Sequence, residues 1–208
     1  MAFDGITTKA IVDELQNIIG SKIDKIHEPD KNTIILGLYL NGKNYALNIC
    51  IDSHNCRINL TTHQKENPLV APNFCMLLRK HLLGGKISEI TNEFNEIEAK
   101  TLIIELMGKH SNVILTNQEE KIIDSMRHID SRNSYREILP SRIYVFPKSD
   151  KLAFEKIKDF NEFNEKISNI EEQDLAKTIS STFTGISFSF AESAVKNRTK
   201  EQIYNYIK

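Results

Sequence analysis

Thr33-Ile34-Ile35-Leu36-Gly37-Leu38-Tyr39-Leu40-Asn41-Gly42-Lys43-Asn44-Tyr45-Ala46-Leu47-Asn48-Ile49-Cys50-Ile51 is the stretch on which the fold turns. Two runs rich in Ile, Leu and Tyr flank Asn41-Gly42. A two-residue primed turn needs positive φ at both central positions, and Asn-Gly accepts that conformation most readily, so the chain is expected to double back as an antiparallel hairpin. β character continues outward on both sides, over residues 22–27 and 57–61. The second of these, Arg57-Ile58-Asn59-Leu60-Thr61, alternates as a strand with one buried face does.

Helical spacing brackets this sheet. Ile11, Leu15, Ile18 and Ile19 predict a helix over residues 8–19, with Thr7 or Thr8 as its cap and Gly20 as its stop. Asn67-Pro68 and Ala71-Pro72 mark a loop. Phe74, Leu77, Leu78 and Leu82 then predict a helix over 72–83, with Pro72 in its first turn and Gly84-Gly85 ending it. Residues 102–107, 111–115 and 121–129 read as three further strands turning at Gly108 and Asn117, a second antiparallel sheet. After a loop over 131–149 the pattern becomes helical: 152–170, 175–181, 188–196 and 200–207. The expected fold class is therefore α+β, antiparallel sheets flanked by helices over 1–150, followed by a helical segment over 151–208. The last helix reaches Lys208 with no stop signal, so the chain is expected to end inside a helical domain.

Of the 208 residues, 40% are hydrophobic and 26% charged, and only 8 are Gly and 5 Pro, which excludes collagenous, low-complexity and wholly disordered classes. No apolar run is long enough to cross a bilayer, and the first residues lack the basic and apolar regions of a secretion signal. A cytoplasmic protein with no membrane partner is the expectation. Cys50, Cys56 and Cys75 lack metal-ligand spacing and read as reduced thiols. The net charge of −1 excludes a general basic coat but hides a local asymmetry: +4 over 57–86, −4 over 87–106, +2 over 107–148 and −3 over 149–177. Basic groups of the sheet-bearing part could line a phosphate-binding groove; ordinary solvated faces produce the same statistics.

Catalytic constellations are missing. His27, His54, His63, His81, His110 and His128 show no HExxH spacing, and no CxxC or GxSxG occurs, so neither a metal site nor a serine hydrolase is expected. Gly84-Gly85-Lys86 lacks the upstream glycine and following Ser/Thr of a P-loop and reads as a helix stop. Glu89, Glu93, Glu96 and Glu98 have no partner to tune one of them as an acid or base. Asp4-Gly5 reads as an N-terminal turn. Phe183-Thr184-Gly185-Ile186-Ser187 between two helices fits either a helix–hairpin–helix, whose second helix could hold a phosphate, or an ordinary αα-hairpin.

Longer strings carry a resemblance. They are Phe3-Asp4-Gly5-Ile6-Thr7, Ile23-Asp24-Lys25-Ile26-His27-Glu28-Pro29 and Cys56-Arg57-Ile58-Asn59-Leu60-Thr61. Most specific are Phe74-Cys75-Met76-Leu77-Leu78-Arg79-Lys80-His81-Leu82-Leu83-Gly84-Gly85-Lys86-Ile87 and Glu105-Leu106-Met107-Gly108-Lys109-His110-Ser111-Asn112-Val113-Ile114-Leu115. Ile123-Asp124-Ser125-Met126 and Arg136-Glu137-Ile138-Leu139-Pro140 follow in order. Together they resemble the NFACT N-terminal domain, plus the start of the helix–hairpin–helix domain, of the bacterial RqcH family, also labelled FbpA for fibronectin binding.

The resemblance implies a fold similar to the N-terminal domain of formamidopyrimidine-DNA glycosylases, without the Met-Pro-Glu start that supplies their nucleophile. It implies a non-enzymatic factor of ribosome-associated quality control. Such a factor binds the large ribosomal subunit carrying a stalled peptidyl-tRNA, recruits alanyl-tRNA and promotes C-terminal alanine tailing, with no cofactor. The family's long coiled coil and C-terminal RNA-binding domain are missing from these 208 residues, so the chain resembles a fragment. One departure stands out. The family's Asp-Arg pair, a dozen or so residues after Gly-Gly-Lys-Ile, has no counterpart: Ile87-Ser88-Glu89-Ile90 runs almost directly into Thr91-Asn92-Glu93-Phe94-Asn95-Glu96. Without that segment tRNA-dependent tailing would suffer while ribosome binding could survive.

The candidate RNA contacts are Arg79, Lys80 and Lys86 at a helix end, the polar turn Lys109-His110-Ser111-Asn112, and Arg127, Arg132 and Arg136. Ser111 and Asn112 fit turn capping equally well. The rival readings are a fibronectin-binding surface adhesin, which would need a signal-less route outward, and a nucleic-acid enzyme, for which no activated nucleophile or metal site is visible.

Overall fold

Asn41 and Gly42 take φ of 48° and 80° in the computed structural model, and Leu40 pairs with Lys43 across the turn, as the primed hairpin requires. The structure describes residues 4–63, 65–92, 99–130, 132, 134–168 and 174–208. It divides into two compact units, one formed by residues 9–147 and the other by residues 4–8 with 148–208.

In the first unit, β1 (Lys22–Asp30), β2 (Thr33–Leu40), β3 (Lys43–Cys50) and β4 (Arg57–Leu60) form an antiparallel meander in that order. β1 runs past the expected end at His27, with its register shifted between His27 and Asp30 around Pro29, which has no N–H to give the ladder. A second meander comprises β5 (Thr101–Glu105), β6 (Asn112–Thr116) and β7 (Ile122–Ser125). Every residue of β6 is buried. Helix α2 (Asn73–Leu82) lays Phe74, Cys75 and Leu78 into the core with Ile26, Ile34, Leu38, Ile49, Val113 and Leu115. That core draws on both sheets. The three cysteines are free, Cys50 and Cys75 buried.

Three expectations shift. The strand over 121–129 stops at Ser125, where the Ser125 hydroxyl turns to donate to the Arg127 carbonyl, and only Ile129 resumes pairing, with Ile138. Residues 108–110 form a 3-10 turn instead of a simple turn. Helix α1 (Gly5–Leu15) begins earlier than residue 8 because Asp4, not Thr7 or Thr8, caps it, accepting the Thr7 N–H at 2.8 Å.

The second unit also departs from expectation. The helix over 152–170 is replaced by a short strand β8 (Leu152–Ala153), a 3-10 turn at Phe154–Lys156 and helix α3 (Phe160–Lys166); Ile170 lies outside the described residues. Asp159 accepts the Glu162 N–H and starts α3 afresh, which lets Phe154 meet Phe163 and a second aromatic, Phe183, edge-on at 5.8 and 5.3 Å. Helix α4 (Leu175–Thr182) leads into β9 (Phe183–Thr184), which pairs with β8 in parallel; α5 (Phe188–Val195) and α6 (Lys200–Ile207) follow. Thr199 and Gln202 close a reciprocal capping box on α6.

Gly5 and Gly185 pack backbone to backbone, the Gly5 N–H donating to the Gly185 carbonyl at 2.8 Å. A Cβ on Gly5 would sit 2.7 Å from the Gly185 Cα. A helical Gly→Ala change ordinarily stabilises. At Gly5 the sign is expected to reverse, at a cost of about 1–3 kcal/mol from forced overpacking. A denaturant midpoint for Gly5→Ala at or above that of the parent chain would contradict this packing.

Candidate nucleic-acid interface

The expected RNA contacts separate into three groups by burial. Arg136 is interior. Its guanidinium meets the Glu105 carboxylate through two 2.7 Å hydrogen bonds, and the Tyr144 hydroxyl donates to Glu105 at 2.7 Å. Arg136 therefore faces no solvent through which a phosphate could reach it. Burial, then the Glu105 charge, holds the Tyr144 hydroxyl well above the ordinary tyrosine range.

Ser111 and Asn112 are buried too. The Ser111 hydroxyl accepts the Met107 N–H, and Asn112 accepts the N–H groups of Val113 and Arg127 while donating to the Arg127 carbonyl. Their polar atoms are occupied in shaping the turn. Arg127 is the clasp beside it: Nη1 donates to the Lys109 and Ser111 carbonyls, and Nη2 to Asn32 Oδ1 and the Ile51 carbonyl. The outcome is an exposed Lys109-His110 pair held on a rigid turn. Arg132 is exposed and bonded to Asp130.

Lys80 and Lys86 are exposed, Arg79 is half-buried with its Nε donating to the Ile26 carbonyl at 2.8 Å, and the fold gathers further cations around them. Arg79, Lys80 and His81 fill the last turn of α2, where the helix dipole favours positive charge. Gly84 and Gly85 do more than stop the helix. Gly84 N–H donates to the Ile23 carbonyl, Gly85 carbonyl accepts the Ile23 N–H, and Ile87 exchanges bonds with Ser21 and Gly20, so residues 84–87 lie along the start of β1. This pairing puts Lys86 directly opposite Lys22. Like charges so placed destabilise a sheet. Asp24, 3.6 Å from the half-exposed Lys22, offsets little of it.

Two histidines register other cations of this region. Burial, then Arg79 and Lys25, lowers the pKa of His27; burial, then Lys100 and Lys80, lowers that of His81. Lys22, Lys25 and Lys100 thus join the cluster, although no pattern in the sequence marks them: Lys100 sits in an acidic stretch, and Lys22 meets Lys86 only through sheet pairing. Of the carboxylates weighed for acid–base work, Glu93, Glu96 and Glu98 lie outside the described residues. Among the described residues no group of His, Cys, Asp and Glu is placed to hold a metal ion, and no helix is long and apolar enough to cross a membrane.

In the second unit the start of α5, a phosphate cradle on the helix–hairpin–helix reading, already holds a carboxylate. Asp4 Oδ2 accepts the Ser187 hydroxyl at 2.6 Å, and the same hydroxyl accepts the Phe190 N–H. Burial opposes the charge on Asp4, but the Ser187 and Thr7 donors win and lower its pKa. A phosphate is not accommodated on top of that anion.

What the geometry defines is a mixed α/β chain whose exposed cations crowd one helix end and the neighbouring sheet edge, without an assembled nucleophile or metal centre among the described residues. Residues 4–206 match the family model of the NFACT N-terminal and middle domains, and the chain belongs to that family. The Bacillus subtilis protein named Rqc2 homolog RqcH is 37% identical over 94% of this chain, which spans 37% of that relative's length. An archaeal Rqc2 homolog from Methanocaldococcus jannaschii is 33% identical over 72% of the chain and 25% of its own. Among solved structures, the N-terminal domain of fibronectin-binding protein PavA from Streptococcus pneumoniae superposes with a TM-score of 0.83 and 31% identity, covering 99% of this chain and 83% of that one. The fibrinogen-binding protein from Staphylococcus aureus gives a TM-score of 0.81 at 27% identity, covering 100% of this chain and 81% of that one.

Proposed function

We propose that this chain is the RNA-contacting part of a ribosome-associated quality-control factor, one that binds the large ribosomal subunit and tRNA while the ribosome supplies the peptidyl-transfer chemistry. The observation that carries the reading is the gathering of Arg79 and Lys25 beside His27, of Lys80 and Lys100 beside His81, and of Lys86 opposite Lys22, arrangements whose repulsion a polyanion relieves. Lys109 and His110 extend the cationic set, and Arg132 is exposed but paired with Asp130. Kinship with proteins named Rqc2 homologs supports a role in promoting C-terminal alanine tailing with alanyl-tRNA as ligand. The chain contains no Asp-Arg dipeptide, and part of the region where the family places it, 93–98, lies outside the described residues. On this reading, backbone and loop contacts from the cationic face do most of the tRNA holding. The test is binding of labelled tRNA to the purified chain across a salt series. Log affinity is expected to fall linearly with log salt, by about 0.7–0.9 per phosphate neutralised. Salt-independent binding would remove the cationic face from the account.

Acidification supplies a second check. An anion over the cluster favours protonated His27 and His81, whose pKa values lie below the usual 6.5 in the free chain. Affinity for tRNA is therefore expected to rise severalfold as pH falls through the range below 6.5, and His27→Asn with His81→Asn to flatten the rise. Unchanged pH dependence in the double variant would sink this linkage.

A second reading, a surface protein for fibronectin, is favoured by one observation: solved relatives are described as fibronectin- and fibrinogen-binding. Binding of immobilised fibronectin by the chain at physiological salt, with no tRNA binding, would advance it.

A further inference from the structure

One face of the first sheet packs into the core, and the other stays open at the hairpin end. Directly paired residues of neighbouring strands project to the same face. The bridge between Lys86 and Lys22 continues through the pairs Lys22–Tyr39 and Tyr39–Asn44, so Lys86, Lys22, Tyr39 and Asn44 stand in one row. Three inter-strand spacings make that row roughly 14 Å wide. All four residues are exposed, Tyr39 at 46%, whereas its neighbour Leu38 points into the core at 1%. The next position along this face of β2 is Gly37, which pairs with Lys25 on one side and Ala46 on the other. A Cβ at Gly37 would come within 3.0 Å of the Lys25 Cβ and 3.6 Å of its Cγ, so the missing side chain lets the Lys25 stem lie on the β2 backbone. The floor beside the ring is therefore flat. A glycine inside a strand often marks such a place, where another molecule comes close to the backbone. An exposed tyrosine is ordinary by itself. What sets this one apart is its company. Among the described residues its ring has no aromatic neighbour and its hydroxyl no hydrogen-bond partner, the Asn44 amide is equally free, and Lys25 and Lys86 have no carboxylate partner. Asp24, 3.6 Å from Lys22, is the acid beside them.

We propose that this open sheet face binds an unpaired stretch of RNA: a base stacks on the Tyr39 ring, the Asn44 amide meets its edge, and Lys22, Lys25 and Lys86 hold the flanking phosphates. This rests on the RNA-binding reading and adds to it a single-strand preference and a stacking site away from α2. Each residue type fits its part. Every base has a π-face, so stacking on a tyrosine needs no particular sequence. An amide presents a donor and an acceptor side by side. Cations along one border of the face track a phosphate backbone. The flat floor suits a base that is splayed out of a helix. In a duplex both faces of a base are covered by its neighbours, and the A-form major groove is too deep and narrow for side chains to read.

The experiment compares a labelled single-stranded uridine octamer with a short self-complementary RNA duplex, each titrated with the whole chain as parent, Tyr39→Thr and Tyr39→Phe. Threonine keeps strand propensity while removing the ring, and circular dichroism checks the fold of each variant. Stacking of one base on an aromatic side chain is worth about 5- to 150-fold in affinity. Tyr39→Thr is therefore expected to weaken octamer binding at least about 5-fold more than duplex binding, and Tyr39→Phe, which keeps the ring, to bind the octamer better than Tyr39→Thr does. The chain has no tryptophan, so Tyr39→Trp supplies a single indole whose emission a stacked base quenches. The octamer is expected to quench it and the duplex is not. Unaltered octamer affinity in folded Tyr39→Thr, or octamer binding without quenching in Tyr39→Trp, overturns the sheet face while leaving the RNA-binding reading intact. Binding of the duplex alone by the parent does the same. Binding of neither RNA to the parent overturns both.

Discussion

Arg136→Met is expected to destabilise the unit formed by residues 9–147 by about 3–5 kcal/mol, because it strands the Glu105 carboxylate in the interior. The side chains of Arg136 and Glu105 are only 5% and 4% exposed, and their bidentate contact is completed by the Tyr144 hydroxyl and by a bond from Arg136 Nη1 to the Val145 carbonyl at 2.9 Å. Removing both charges together is a different change. A buried pair exchanged for apolar groups of similar volume is often near neutral, since the desolvation of each ion is recovered. Glu105→Leu with Arg136→Met should therefore regain much of the stability, offset by the Tyr144 hydroxyl left without its acceptor. Urea melts of the single and double variants measure this directly. A single variant within about 1 kcal/mol of the parent, the value of an exposed pair, would mean that the interior ion pair is not formed.

The second large effect is on binding. Lys80→Glu with Lys86→Glu is expected to weaken tRNA binding more than about 10-fold at moderate salt and to flatten the salt dependence by about 0.7–0.9 for each phosphate no longer neutralised. Lys80 lies beside His81 in its field, and Lys86 beside Lys22 on the sheet edge, so reversal there converts a repulsive cluster into a balanced one. Relief of that repulsion is set against the cost of an acidic residue in the last turn of α2, so folding of the double variant is checked by circular dichroism before binding is read. Lys121→Glu serves as comparison: Lys121 pairs with Glu119 at 2.6 Å and is not among the clustered cations, and its reversal changes the net charge by as much as either single reversal. Equal weakening by Lys121→Glu and by Lys80→Glu or Lys86→Glu alone, each the same change in net charge, would show that only net charge matters and that the face has no special standing.

The elements most legible in the sequence are those fixed by local chemistry. Asn41-Gly42 demanded its hairpin, and the Phe74–Leu78–Leu82 spacing with Gly84-Gly85 demanded a helix and a stop. What escaped was set by partners far along the chain. Phe154, Ile157 and Phe163 have helix-like spacing, yet Phe154 is claimed by Phe163, Phe183 and Tyr204, and Asp159 restarts the helix in between. Asp4 as the cap of α1 is a local feature, three residues from Thr7, which a reading of Thr7 or Thr8 as the cap passes over, whereas its bond to Ser187 joins residues 183 apart in sequence. The same limit governs the site. Charge identified Arg79, Lys80, Lys86 and Lys109 as candidates, but charge alone does not separate an exposed arginine from Arg136 in the interior or Arg127 in its clasp. Pairing along β1 brought in Lys22, and the same pairing sets Tyr39 and Asn44 in its row, which no spacing in the sequence announces.

The measurement closest to the central claim is capture of the tagged gene product that carries this sequence from its own cells, at low and moderate salt, with sequencing of the bound RNA. Large-subunit ribosomal RNA enriched together with one tRNA family, both reduced by Lys80→Glu with Lys86→Glu, is the predicted result. Ribosomal RNA without tRNA would contradict the tRNA half of the account, and recovery of no RNA at either salt would contradict it entirely.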